Sequence, residues 1–148
     1  MYRRSQGRRL RGFTLTELLV VMVIIVLLAG VAVTYVPKRI EEARVAKTQA
    51  EIKTLENAIS QYQIHMMDVP SQSEGLEALV TKPDANRNAD RWKGPYLQPP
   101  VVPNDAWGRE YIYRTPGSHN MDYDLLSVGK DGQEGSEDDI TSWEHFEA

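Results

Sequence analysis

The sequence predicts an α+β fold in which one long N-terminal helix packs on a small antiparallel β-sheet. A membrane-length apolar run at residues 13–36 leads into an amphipathic helical pattern over residues 37–67. From residue 68 onward the chain breaks into short segments separated by proline and glycine, and two of these segments alternate in polarity. We therefore expect a helix with two chemically different halves, followed by a small α+β domain at residues 68–148.

The first 12 residues, MYRRSQGRRLRG, form a basic leader that contains five arginines and no acid. Such a segment stays on the cytoplasmic side of a membrane. At about 1.5 Å per residue, the apolar run that follows is long enough to cross a bilayer once as a helix. The apolar region of a secretory signal peptide is shorter, at about 7 to 15 residues. The arginine pairs leave a twin-arginine export signal open as an alternative.

The helical pattern is expected to change at Pro37, which lacks an amide proton and should end or kink the membrane helix. A second helical stretch then runs to about Met67, and its apolar face recurs at steps of three and four residues. The members of this face are Val45, Thr48, Ile52, Leu55, Ile59, Tyr62 and Met66.

The rest of the chain predicts one short helix and two strands. Residues 74–80 read as a short helix that ends before Pro83. Alternating residues at 110–114 and 123–128 predict two short strands, joined by a loop through Pro116, Gly117 and Asn120.

Composition restricts the classes of function. Without the leader, the chain carries 12 basic and 21 acidic residues, and so acidic a surface does not suit nucleic acid. The chain contains no cysteine, which excludes disulfides and thiolate metal sites. A domain this small gains from another stabilising element, such as a metal bound through oxygen or a neighbouring subunit. The sequence contains no recognisable catalytic motif, so we predict that the protein is not an enzyme.

Glu17 is a carboxylic acid near the start of the apolar run. An acid inside a bilayer costs a few kcal/mol unless it finds a partner, so it marks a functional position by default. Alternatively, Glu17 lies at the depth of the lipid headgroups and stays hydrated.

The basic leader, Gly12, Phe13, Thr14 and Glu17 together resemble the N-terminus of the type IV pilin and type II secretion pseudopilin superfamily. Downstream segments resemble one branch, the major pseudopilins of the general secretion pathway protein G family. These segments are GLEALVTKP at residues 75–83, DAWG at 105–108, YDL at 123–125 and SVGKDG at 127–132. The resemblance covers nearly the whole chain.

The resemblance implies a pilin-like fold and a life cycle as a filament subunit. Prepilin peptidase would cut between Gly12 and Phe13 and methylate the new amino terminus at Phe13. Glu17 would then pair with the amino terminus of a neighbouring subunit. An unprocessed glycine before a membrane helix is the alternative.

The resemblance also implies where the protein works and with what. The subunit would be anchored in the inner membrane, surrounded by lipid, with its C-terminal domain in the periplasm. It would then polymerise with itself into a periplasmic pseudopilus that drives export of folded proteins. Its partners would be the prepilin peptidase, minor pseudopilins and an inner-membrane assembly platform with a cytoplasmic ATPase.

An acidic, glycine-rich segment near the C-terminus predicts a metal site. Residues 122–139 hold seven acids and one base, which repel each other unless a cation gathers them, and carboxylate oxygens suit Ca²⁺. The spacing does not fit an EF-hand. The resemblance implies a calcium loop whose ligands are Asp131, Asp138 and Asp139, with backbone carbonyls of Val128 and Lys130. A solvated acidic turn without metal is the alternative.

Two other functions stay open from the sequence alone. The major subunit of a surface type IV pilus shares the same N-terminus, but such subunits usually carry a C-terminal disulfide, which this chain cannot form. The other is a membrane-tethered, calcium-dependent enzyme or binding protein.

Overall fold

A computed structural model describes residues 12–84 and 89–143, except for the side chains of residues 31–35. The chain divides into two compact units, residues 1–40 and residues 41–148, which are described separately below. Most of the predicted leader, residues 1–11, lies outside the described residues.

Helix α1, Leu15–Met66, is 52 residues long and confirms the long N-terminal helix. Pro37 lies inside this helix, so the expectation that the helix could end there is wrong. A proline removes one amide donor and costs about 3 kcal/mol in a helix interior. The helical segments on both sides are several turns long, and their cooperative hydrogen bonding continues the helix past this one missing bond.

In the first unit, the large apolar side chains between Phe13 and Leu28 are 48% to 81% exposed. Within the residues that the structure describes, no helix combines the length and the apolar character needed to cross a membrane. The predicted span at residues 13–36 stays a prediction, because it includes residues 31–35, whose side chains the structure does not describe.

The second unit is built around one face of α1. Six of the seven residues predicted for this face are buried, and Val45 is partly buried against the core. The core is completed by side chains from the segments after the helix, namely Leu76, Ala78, Leu79, Leu97, Tyr111, Tyr113, Leu125 and Ile140. Burial raises the pKa of both Tyr111 and Tyr113 far above the usual tyrosine value.

Helix α1 ends at a left-handed residue. Met67 follows the helix with φ of 63°, and its amide donates to the Gln63 carbonyl at 2.8 Å. A left-handed residue directly after a helix is a common way to stop it, although glycine is the usual choice. The chain then turns back toward Pro70, whose carbonyl accepts a hydrogen bond from the Tyr113 hydroxyl at 2.7 Å.

A three-stranded antiparallel sheet follows, with the spatial order β1–β2–β3. Its strands are β1, Ile112–Arg114; β2, Asp124–Ser127; and β3, Ile140–Thr141. The first two confirm the predicted strands, with Tyr113 opposite Leu125. Strand β3 escaped prediction because two residues are too few to show alternation.

The predicted short helix is present at Gly75–Leu79, where it takes the tighter 3-10 form. A second 3-10 helix at Ala89–Arg91 was not predicted. Next to it, the Trp92 indole donates to the Ala78 carbonyl at 2.9 Å, which ties this segment to the first short helix.

Candidate functional site

The N-terminus of α1 is closed by a reciprocal pair of hydrogen bonds between Thr14 and Glu17. The Thr14 amide donates to Glu17 Oε2 at 3.3 Å, and the Glu17 amide donates to Thr14 Oγ1 at 3.3 Å. The Thr14 hydroxyl also lies 3.3 Å from Glu17 Oε2. This is a capping box, in which the side chains of Thr14 and Glu17 accept from each other's amides at the helix start. The Glu17 amide also donates to the Thr14 carbonyl at 3.2 Å. The T-x-x-E spacing before the apolar run could have predicted the capping box.

The predicted cleavage site lies just before this cap. Gly12 and Phe13 precede α1 and are not helical, and both are exposed. A side chain added at Gly12 would meet nothing within 4 Å. The peptide bond between them is therefore accessible in a non-helical segment.

The second region is the acidic loop, residues 128–139, between β2 and β3. The three predicted calcium-binding side chains converge there on the hydroxyl of Ser136. The Ser136 oxygen lies 2.5 Å from Asp138 Oδ1, 3.3 Å from Asp131 Oδ1 and 3.5 Å from Asp139 Oδ1. The three acids thus lie together around one hydroxyl, and sequence reasoning assigned no role to Ser136.

Backbone amides of the acidic loop donate to the same carboxylates. Asp138 Oδ2 accepts from the amides of Lys130, at 2.6 Å, and Asp131, at 3.0 Å. Asp139 Oδ2 accepts from the Gly135 amide at 2.7 Å. The hydrogen bonds from the Ser136 hydroxyl and the Asp131 amide lower the pKa of Asp138, so it stays ionised.

Gly129 lets the two ends of the acidic loop come together. Its φ is 57°, and a Cβ there would lie 2.7 Å from Asp138 Oδ2 and closer still to the Asp138 carbonyl. Any other residue would push these two parts of the loop apart.

The two predicted carbonyl ligands already accept hydrogen bonds. The Val128 carbonyl accepts from the Gly132 amide at 3.2 Å. The Lys130 carbonyl accepts from Arg109 Nη2 at 3.1 Å, while Arg109 Nη1 donates to the Gly129 carbonyl. Sequence reasoning missed Arg109, because nothing in the turn at residues 105–109 indicates which segment its side chain reaches.

The acidic loop has the donors that calcium prefers, although they are not arranged around an ion. In the described part of the chain, no group of three or more His, Asp or Glu side chains forms a ready metal site. The carboxylates are turned toward loop amides and Ser136 instead. Even so, three carboxylates surround one hydroxyl, which has a single proton to donate. The donor set therefore fits a hard cation, and calcium stays a prediction.

A second guanidinium also reaches the acidic loop. Arg114, at the end of β1, forms a two-pronged pair with Glu134 at 2.5 Å and 2.7 Å. This pair raises the pKa of Arg114 and lowers the pKa of Glu134.

The loop before β2 is built around a buried carboxylate. Asp124 accepts from the amides of Ser118, His119 and Asn120 at 2.7 to 3.1 Å. Burial alone would raise the pKa of Asp124, but these bonds outweigh it and lower the pKa to about 2. The ring of His119 stacks on Trp143 with centroids 4.1 Å apart. We interpret this cluster as structural.

Comparisons with known proteins agree with this architecture. The family model described as type II secretion system (T2SS), protein G matches residues 35–143, and the prokaryotic N-terminal methylation motif matches residues 7–33. Type II secretion system core protein G of Pseudomonas aeruginosa is 40% identical over 144 residues, which cover 95% of this chain and 99% of that protein. The core protein G of Escherichia coli strain K12 is 42% identical over 134 residues, which cover 90% of each.

A solved structure shows the same fold. The crystal structure of the major pseudopilin from the type 2 secretion system of enterohaemorrhagic Escherichia coli superposes with a TM-score of 0.60 at 31% identity. The match covers 69% of this chain and 88% of the pseudopilin. On these grounds, this chain belongs to the protein G family of the type II secretion system, the family of the major pseudopilins.

Proposed function

We propose that this chain is the major structural subunit of a type II secretion pseudopilus, a periplasmic filament that drives export of folded proteins across the outer membrane. The observation that carries the proposal is its similarity to core protein G of two bacteria over at least 90% of both chains. The match covers the N-terminal segment as well as the domain, so it includes the parts that a filament subunit needs for processing and for polymerisation.

Before assembly, the subunit is held in the inner membrane by one span at residues 13–36, with residues 68–148 in the periplasm. Two features support this arrangement. The large apolar side chains from Phe13 to Leu28 are about half exposed or more, so an apolar environment outside the chain must cover them. The arginines of residues 1–12 keep the leader on the cytoplasmic side.

Prepilin peptidase cuts between Gly12 and Phe13 and methylates Phe13. The methylation motif that matches residues 7–33 includes both residues. The exposed, non-helical backbone at this point supports the proposal, since a protease binds its substrate in an extended form.

Glu17 directs assembly through a change of partner. In a single chain its carboxylate caps α1 through Thr14. After cleavage, the amino group at Phe13 of a neighbouring subunit brings a positive charge into the same apolar layer. An ion pair in low dielectric is much stronger than in water, whereas a charge without a partner is strongly unfavourable there. The pair therefore fixes the register between subunits.

The acidic loop holds calcium through the side chains of Asp131, Asp138 and Asp139 and the carbonyls of Val128 and Lys130. The convergence of the three carboxylates on Ser136 supports this assignment. A bound divalent cation supplies positive charge that offsets their repulsion and orders the loop. The subunit's other partners are minor pseudopilins and the assembly platform with its ATPase.

The test of the assembly role separates two contributions of the Glu17 side chain, namely the cap on helix α1 and the negative charge. Glutamine caps a helix in the same way as glutamate but carries no charge. Wild type and Glu17→Gln are expressed at native level in a strain that has a type II secretion system but lacks its own major pseudopilin gene. The secreted protein and the filaments released by shearing are then measured. We expect wild type to restore secretion, and Glu17→Gln to accumulate in the membrane without forming filaments.

Normal filaments from Glu17→Gln would show that Glu17 acts only as a cap. Thr14→Val is the matched control, since it removes the capping hydroxyl and keeps the charge, and it should still assemble. If wild type instead produced surface pili and twitching motility without secretion, the chain would be the major subunit of a type IV pilus.

A further inference from the structure

Arg109 contacts the acidic loop from outside it. Its guanidinium donates from Nη2 to the Lys130 carbonyl at 3.1 Å and from Nη1 to the Gly129 carbonyl. These carbonyls lie at the start of the loop, and Lys130 is one of the two residues proposed to bind calcium through the backbone. The fork of an arginine suits this contact, because it can bond two acceptors at once.

A glycine on the acidic loop makes room for the guanidinium. A Cβ at Gly132 would lie 2.8 Å from Cζ, Nε and Nη2 of Arg109. Gly132 also has a φ of 74°, which favours glycine for a second reason. The guanidinium is therefore packed closely against the loop backbone, in addition to its hydrogen bonds.

The turn that carries Arg109 is itself fixed. Buried Asp105 accepts from the amides of Trp107 at 3.0 Å and Arg109 at 2.8 Å, and the Arg109 carbonyl accepts from the Asp105 amide at 2.8 Å. The other oxygen of Asp105 accepts from the Ser127 hydroxyl at 2.6 Å. Asp105 thus connects this turn to the end of β2, where the acidic loop begins, so the backbone of Arg109 has a set position.

We propose that Arg109 is a positioning residue for the acidic loop, which holds the carbonyls of Gly129 and Lys130 in place before calcium binds. The acidic loop, residues 128–139, holds five acids and one lysine, so it cannot balance its own charge. Arg109 brings a positive charge from another part of the chain. This inference rests on the proposed calcium site for its metal-dependent part only.

The proposal predicts that Arg109 and calcium stabilise the same loop, so their effects are not additive. Without metal, Arg109 provides much of the stabilisation of the loop, so replacing Arg109 should cause a large loss of loop stability. With calcium bound, the metal stabilises the same segment, so replacing Arg109 should cause a smaller loss of loop stability. A residue that only supports the turn at 105–109 would give the same loss in both conditions.

The experiment compares Arg109→Gln, Arg109→Lys and Arg91→Gln in the full chain purified in detergent, with chelator and with calcium. Arg91→Gln is the matched control, since it removes the same charge from an exposed position on the second 3-10 helix. Hydrogen exchange is measured at the amides that donate to loop carboxylates, which belong to Lys130, Asp131, Gln133 and Gly135. Thermal unfolding is followed in parallel.

In chelator, Arg109→Gln should speed exchange at these amides at least tenfold, and Arg91→Gln should leave it unchanged. Calcium should restore slow exchange and raise the unfolding temperature more in Arg109→Gln than in wild type. Arg109→Lys should be intermediate, because an ammonium group keeps the charge but lacks the fork. The Arg109→Lys variant also allows the test to be decided if Arg109→Gln does not fold.

Unchanged exchange in metal-free Arg109→Gln and Arg109→Lys would overturn the proposal. So would an equal loss of unfolding temperature with and without calcium, provided that calcium stabilises wild type. If calcium leaves wild type unchanged, the proposed calcium site is wrong, and the metal-free exchange result alone decides the role of Arg109.

Discussion

The two units of this chain place similar side chains in opposite surroundings. In the first unit, Leu19, Ile24 and Leu28 are 50% to 65% exposed. In the second unit, Ile52, Leu55 and Ile59 lie on the same helix α1 and are at most 2% exposed. The comparison shows that the second unit supplies its own apolar partners, whereas the apolar side chains of the first unit lie exposed in the single chain.

Under the proposed function, this difference lets one helix serve both a membrane anchor and a domain. Each buried large apolar side chain contributes about 1.5 to 3 kcal/mol when it leaves water. In the second unit this free energy stabilises the fold of the single chain. In the first unit, the proposed function makes this free energy available only when lipid or neighbouring subunits cover the helix, which would link it to anchoring and assembly.

The largest expected effect is a cavity in the core of the second unit. Leu55→Ala should lower the free energy of unfolding by about 2 to 5 kcal/mol, because the fully buried side chain leaves a void. Leu19→Ala makes the same change in the first unit and should leave domain unfolding within about 0.5 kcal/mol of wild type. Urea unfolding in detergent, followed by tryptophan fluorescence, measures the free energy of unfolding of both variants. An equal loss in the two variants would contradict the difference between the two units.

A matched pair of charge substitutions tests the proposed membrane span. Ile24 and Ile64 are both exposed residues of α1, at 50% and 69%. Ile24→Asp should weaken membrane insertion by about 2.5 to 3.5 kcal/mol, since an acid would face hydrocarbon. Ile64→Asp faces water and should have little effect. Alkaline extraction of membranes measures the retained fraction, and full retention of Ile24→Asp would contradict the span.

Acid should weaken the second unit through Asp124. The folded-state pKa of about 2 lies below the ordinary value of 3.8, so the ionised form stabilises the fold. This contribution of about 2 kcal/mol is complete above about pH 4 and is lost as the pH falls toward 2. Asp124→Asn should unfold more easily at pH 6 and show a flatter pH dependence. Urea unfolding from pH 6 to pH 2 measures the free energy of unfolding of both proteins. Parallel pH profiles of wild type and Asp124→Asn would contradict the stabilising role of the Asp124 carboxylate.

The smallest expected effect concerns the start of α1. Thr14→Val should cost about 1 kcal/mol of local helix stability, because the Glu17 amide loses its side-chain acceptor and keeps only the Thr14 carbonyl, at 3.2 Å. Hydrogen exchange at the Glu17 amide should then be about fivefold faster. Thr54→Val is the control, since its hydroxyl donates to the Ala50 carbonyl in mid-helix and caps nothing. Equal exchange at the Glu17 amide in Thr14→Val and wild type would show that the cap is not formed in solution.

Local sequence patterns predicted the elements that repeat over many residues. The apolar face of α1 and strands β1 and β2 follow from spacings of three to four and of two residues. The second 3-10 helix and β3 were missed, because three and two residues are too few to carry a period. Of the two outcomes expected at Pro37, an end of the helix was wrong, because the cooperativity of the long helix outweighed the local preference, and a kink stays a prediction.

The amino-acid sequence by itself determined the division into an apolar and an amphipathic half, the acidic character of the loop and which carboxylates the proposed calcium site can draw on. The tertiary structure alone decided which groups meet. It placed Ser136 among three carboxylates and brought Arg109, 20 residues away in the chain, onto the carbonyl of Gly129. The physical reason is that periodicity and charge are local properties of a sequence, whereas contacts between distant segments depend on how the whole chain packs.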